Sequence, residues 1–319
     1  MTPRRLIFCL IVVVGVITPA IFLFVQDSAP AFAGVNAPYK AMPPWQQYLA
    51  VASAFVIKPL YMALALFAIW LLRRQKSPDL VALRWCCLFF SIGETFCAAN
   101  YLGFGERSYL MEYLHSLGMT LALVSAVYAA AELADVRIIH FSKAEGCRLG
   151  ALCGGCMQGR SASNCGVRRM LRLGLPFLIL IAAMPLTGSY HPDRYFSEIV
   201  GTRYVYMHDW PHQQYEMRFL PIAAMALLAL AWLTAGRERH PLPNTRLLVA
   251  GGVGAMGFSF FRWMLLSAFA QDQIWFVVWE ELTELAAILA LLALLHTFKL
   301  RISSRPNPAS EQGSIEDCQ

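Results

Sequence analysis

The sequence predicts an all-α, polytopic membrane helix bundle with about eight transmembrane helices. Three observations predict it. Apolar types make up 58% of the 319 residues and charged types only 14%, whereas a soluble domain carries about a quarter charged residues. The apolar residues gather into runs of about 20, the length a helix needs to span a hydrocarbon core. The lysines and arginines collect in alternate connecting loops. With a mean hydropathy of +0.51, these features exclude soluble globular, disordered, collagen-like and small disulfide-stapled folds.

The runs are 6–25, 48–72, 85–104, 109–133, 170–187, 216–235, 247–269 and 273–298. None alternates with period two, so none reads as a strand. With the N-terminus placed in the cytoplasm, 19 of the 26 basic residues lie on that side. The far side holds five, Lys40, Arg107, Arg194, Arg203 and Arg218, and the last two, Lys58 and Arg262, fall inside runs. The positive-inside rule then predicts both termini in the cytoplasm, with a bacterial inner membrane as the expected setting. It also accounts for the net charge of +6 without a nucleic-acid partner. The basic start, the first run and Ala31-Phe32-Ala33 also follow signal-peptide grammar. That run is long for a signal core, so an uncleaved anchor is expected; cleavage would leave seven spans. The organisation is one bundle, 1–302, with a cytoplasmic loop 137–169 and outer loops 26–47 and 188–215. A Pro/Ser/Glu-rich stretch, 303–319, reads as a disordered cytoplasmic tail.

Nine cysteines are present, and four crowd one loop: Cys147, Cys153, Cys156 and Cys165, spaced C-x5-C-x2-C-x8-C. The predicted cytoplasmic side is reducing, which argues against structural disulfides. Four thiols within one glycine-rich, arginine-rich loop suit a metal or cluster. Only one C-x2-C pair is present, where a four-cysteine zinc site usually has two. An iron–sulfur cluster accepts more varied spacing. Iron–sulfur is the first expectation, zinc the alternative, and a thiol pair or lipidated loop the third. Cys9, Cys86, Cys87 and Cys97 fall in spans and read as small buried residues.

Ionisable residues inside spans point to function by default. They are Lys58, Glu94, His115, Arg262, Glu280, Glu281 and Glu284, with Glu112 in the outer part of its span. Reflecting Arg262 through the turn at 271–272 lands on Glu281, so an ion pair of Arg262 with Glu281 or Glu280 is expected. Four acids remain against two bases, so some must be protonated, face water or hold a cation. Glu280 and Glu284 are four apart and expected on one helix face. His115 reads first as a hydrogen-bonded core residue. In the loop 188–215, His191, His208 and His212, with Asp193, Asp209 and Glu216, are candidate outer-face metal or ligand residues. Their plainer reading is an interfacial aromatic belt with polar caps. Gly251, Gly252, Gly254 and Gly257 read as close-packing positions.

There is no Walker A loop, H-E-x-x-H, G-x-S-x-G or C-x-x-C-H motif. The leading expectation is a membrane electron-transfer protein whose iron–sulfur-type or zinc loop meets a redox partner protein or a quinone. The alternatives are a cation- or proton-coupled transporter with a structural or sensory zinc loop, and a membrane redox or metal sensor.

Overall fold

A computed structural model describes residues 41–104, 108–141, 147, 165–188, 194–207, 215–238, 242–269 and 273–297. Helix α1 (Pro44–Ala52) starts behind the extended Pro43, with Pro44 in the first turn, where a missing N–H leaves no bond unmade. It passes through a wide π-helical turn, Ser53–Ile57, into α2 (Lys58–Leu72). Pro59 accounts for that turn. It has no N–H for the Phe55 carbonyl and its ring would collide there. The Lys58 N–H reaches back to the Ser53 carbonyl instead. The widened turn thus delivers Lys58 at the middle of the span.

Helices α3 (Pro78–Phe104) and α4 (Tyr109–Leu133) form an antiparallel pair. The Ser108 side chain caps α4 by accepting from the Met111 N–H at 3.4 Å. The pair closes on two glycines: a Cβ placed on Gly118 would lie 2.6 Å from the Gly93 Cα. A second π-helical turn, Ala134–Ile139, follows α4 and stops at His140 with φ 55°. Helix α5 (Gly166–Ala182) leads into a 3-10 turn, Met184–Thr187. Strands β1 (Arg194–Ile199) and β2 (Thr202–Met207) then pair antiparallel. Their turn residues, Val200 and Gly201, both have positive φ (50° and 74°), the geometry that joins strands of right-handed twist through two residues. The Val200 N–H donates to Gln47 Oε1 at 3.1 Å, so the hairpin tip rests against α1.

Helix α6 (Leu220–Arg237) is entered through a third wide turn, Tyr215–Phe219, ahead of Pro221. Helices α7 (Pro243–Phe269) and α8 (Gln273–Thr297) complete the bundle. Glu238 caps α7, its two carboxylate oxygens accepting the N–H groups of Asn244 and Thr245 at 2.8 Å each. The core runs along the bundle axis through Tyr61, Phe90, Leu175, Leu228 and Phe258. Phe67, Trp70, Leu173, Phe177 and Leu180 face outward, an apolar exterior that suits lipid.

Among the described residues, six helical segments are long and apolar enough to cross a membrane: Pro44–Leu72, Pro78–Phe104, Leu110–Ile139, Gly166–Thr187, Tyr215–Arg237 and Pro243–Phe269. The protein is therefore an integral membrane helix bundle, and six of the expected eight spans are found among the described residues. The expected span 6–25 lies outside the described residues. The eighth forms α8, but its three glutamates keep it from counting as an apolar span. Helix α3 begins earlier than its apolar run, because Pro78 and Asp79 suit a first helical turn and Arg84 is as good a helix former as leucine. The loop 188–215 differs from expectation by containing the hairpin, whose second strand is rich in aromatic and β-branched residues. A Cβ on Gly252 would meet Leu228 Cγ at 2.6 Å and one on Gly254 the Val124 Cα at 2.5 Å, whereas Gly257 has nothing within 4 Å and is not a close-packing position.

Candidate functional site

Four helices bring their mid-span polar residues to one place. Lys58 and Tyr61 come from α2, Glu94 from α3, His115 from α4, and Glu281 and Glu284 from α8. Counted along the helices at 1.5 Å per residue, Glu94, His115 and Glu281 lie about 9 to 15 Å from the Phe104, Tyr109 and Gln273 ends. Those three ends belong to the same side of the bundle, so the residues share a depth.

The Lys58 ammonium donates to Glu94 Oε2 and sits 3.1 Å from Glu281 Oε1. The Tyr61 hydroxyl lies 2.6 Å from Glu94 Oε2 and 2.6 Å from Glu281 Oε2, joining α3 to α8. Its ring packs edge-to-face with that of Phe90. The Cys97 Sγ is 3.6 Å from Lys58, one turn beyond Glu94. His115 Nδ1 is 3.1 Å from the Gly93 carbonyl and 3.4 Å from Glu94 Oε1. A carbonyl can only accept, so Nδ1 carries the hydrogen of that bond. His115 is thus a hydrogen-bonded core residue at the edge of the site.

Glu94, Glu281 and Glu284 bring one carboxylate oxygen each within 4.8 Å of the others. All three are buried, Glu94 completely and Glu284 to 6% exposure. Glu94 Oε1 and Glu284 Oε2 have no hydrogen-bond partner among the described residues. Buried oxygens of this kind are normally satisfied. Three carboxylates beside one ammonium therefore leave a site with room in its chemistry for positive charge.

A second network lies alongside. Arg262 Nε donates to Glu216 Oε2 at 2.9 Å, and Arg262 Nη1 donates to Glu280. Ser116 donates to Glu216 Oε1 at 3.0 Å, and Ser259 to the Glu216 carbonyl at 2.5 Å. The guanidinium also stands 5.1 Å from the Phe276 ring centre. The expected partner of Arg262 is thus Glu280, together with Glu216, while Glu281 is not its partner and turns to Lys58. Consecutive residues lie about 100° apart on a helix, so Glu280 and Glu281 face different neighbours. Glu284 lies angularly between Glu280 and Glu281, sharing a face with Glu280, and one of its oxygens comes within 4.8 Å of Glu94 and Glu281.

Tyr61 and Glu216 were not read as members of these networks from the sequence. Tyr61 carries no charge, and its hydroxyl in a span gives no signal by itself. Glu216 reads as a loop ligand beside His212, yet the turn before Pro221 buries it against Arg262. Closer to the other end of the bundle, Arg246 pairs with Glu132 at 3.1 Å and Asp135 at 2.6 Å, and Arg137 with Asp79 at 2.7 Å. His191, His208 and His212 lie outside the described residues. So do Cys153 and Cys156; Cys147 and Cys165 are half-buried free thiols. Two surface cavities, of about 320 Å³ beside Leu72 and His296 and about 190 Å³ beside Asp135 and Arg246, are lined by none of the carboxylate-site residues.

Fold and site together define an integral membrane helix bundle with a buried ionic network at its centre. Comparison with protein-family models, with curated proteins and with solved structures finds no match.

Proposed function

We propose that Glu94, Glu281 and Glu284 form an intramembrane cation-binding site and that the protein is a cation- or proton-coupled transporter. The observation that carries this reading is the unpartnered Glu284 oxygen, buried among two further carboxylates in a bundle with an apolar exterior. Carboxylates are placed at such a depth at a cost that a bound cation or proton offsets. Lys58 holds the site together in the absence of the ion. In this reading both termini face the cytoplasm of a bacterial inner membrane, and the first run and α8 also cross, giving eight spans. The test is ion flux in proteoliposomes under an imposed proton or cation gradient. Wild-type protein dissipates the gradient and Glu284→Gln protein does so far more slowly; equal rates remove the proposal.

The four-cysteine spacing favours a second reading. Cys147, Cys153, Cys156 and Cys165 bind an iron–sulfur cluster or zinc, and the buried acids serve proton uptake for a quinone or redox partner protein. Iron, acid-labile sulfide and zinc analysis of anaerobically purified protein tests it. Absence of all three excludes this reading.

A further inference from the structure

We propose that Glu281, Tyr61 and Glu94 form a proton relay, with Lys58 as the counter-ion that both carboxylates share. The inference rests on the reading of the cluster as a cation site and names the cation as a proton.

A tyrosine hydroxyl has one hydrogen to donate and two lone pairs to accept with. Tyr61 stands 2.6 Å from an oxygen of Glu94 and 2.6 Å from an oxygen of Glu281. Each of these distances is that of an O–H···O hydrogen bond, and each bond needs its own hydrogen. Tyr61 supplies one. Two ionised carboxylates supply none, so a second hydrogen resides on one of the acids. Glu94 Oε2 accepts from the Lys58 ammonium as well as facing Tyr61, and a positive charge donating to that oxygen disfavours a proton on it. The hydrogen therefore sits on Glu281 Oε2, and the chain runs Glu281 O–H to Tyr61 O–H to the Glu94 carboxylate.

This chain can pass a proton. The Glu281 hydrogen moves to the Tyr61 oxygen as the Tyr61 hydrogen moves to Glu94. Two O–H bonds break, two form, and no electrons change centre. Glu94 ends neutral and Glu281 ends charged. Lys58 contacts both acids, with Glu281 Oε1 at 3.1 Å, so the counter-charge is within reach of either end. The surrounding groups leave the chain intact. Cys97 faces Lys58, His115 faces the other oxygen of Glu94, and Glu280 is committed to Arg262. Glu284, with its unpartnered oxygen near Glu281, is the next acid along the path. A metal ion bound between Glu94 and Glu281 would compete with the ammonium already there.

Infrared difference spectroscopy of the full chain in lipid nanodiscs, acid minus alkaline and in H2O against D2O, tests the relay. Wild-type protein at neutral pH shows the carbonyl stretch of a protonated carboxylic acid, shifted by deuterium. Glu281→Gln loses that band and Tyr61→Phe, which keeps the ring and its packing, displaces it. Proton flux in proteoliposomes falls about a hundredfold or more in Tyr61→Phe. A wild-type spectrum without the band, or a band that both variants leave in place, overturns the relay. A metal ion that stabilises wild-type but not Glu284→Gln protein, with no carboxylic band, overturns the relay and leaves the cation site standing. Equal flux in wild type and Glu284→Gln overturns both.

Discussion

Replacing Arg262 by Gln removes a positive charge in contact with Glu216, at a site where Arg262 is 5% and Glu216 1% exposed. It also releases Glu280. Glu216 keeps the Ser116 hydrogen bond but loses the 2.9 Å bond from Nε. Breaking a buried pair from one side typically costs about 3–5 kcal/mol, because a charge stays behind in a medium that solvates it poorly. Glu216→Gln is milder, about 1–3 kcal/mol, since Arg262 retains Glu280. In the double variant the stranded carboxylate at 216 is gone. The two losses are therefore non-additive by about 0.5–3 kcal/mol, the range measured for residues in one network. The assay is reversible unfolding of the purified protein in mixed micelles, with all four members of the cycle measured under one condition. Losses that add to within about 0.5 kcal/mol would show that the two side chains are energetically independent. They would refute the reading of this network as a buried ion pair that joins α6, α7 and α8.

Three further substitutions test the packing and capping. Gly118→Ala places a Cβ 2.6 Å from the Gly93 Cα, backbone that cannot yield, and should cost about 1–3 kcal/mol as α3 and α4 are forced apart. Thermal unfolding in detergent measures the loss, and an unchanged midpoint would contradict the close crossing. Gly257→Ala meets nothing within 4 Å and should be neutral or stabilising by up to about 1 kcal/mol, from helix propensity alone; the same assay showing a clear loss would mean an unrecognised neighbour. Glu238→Ala leaves the N–H groups of Asn244 and Thr245 without their caps and should cost about 0.5–2 kcal/mol. Hydrogen exchange at the start of α7 should rise with it, and unaltered protection would count against the cap.

The helices were legible because an apolar run of 20 residues has few alternatives, and Tyr109–Leu133 carries the boundaries its pattern predicts. The charged members of the site were legible for the complementary reason: Lys58, Glu94, Arg262 and Glu284 are costly where they stand. Depth matching across the α7–α8 turn also brought Arg262 to the right level of α8. It could not choose between Glu280 and Glu281, because depth fixes the rise along a helix and not the angle around it. That angle depends on which helices flank α8, and their order around the bundle leaves no mark in hydropathy. Tyr61 was invisible because an uncharged phenol in a span is as much a core residue as a ligand. Glu216 was misplaced because its burial depends on the wide turn before Pro221, where local sequence alone suggests a helix starting at the interface. The hairpin was hidden within an aromatic-rich segment whose composition serves an interface equally well.

The proposed cation site at Glu94, Glu281 and Glu284 must bind its ion in the folded protein. The most direct measurement is the melting temperature of wild-type and Glu284→Gln protein, each titrated separately with protons and with single metal cations. An ion bound by the folded site raises the midpoint with its concentration by linkage. Wild type should show such a rise, with protons the effective ion, and Glu284→Gln a markedly smaller one. Identical responses of the two proteins to every ion would contradict it.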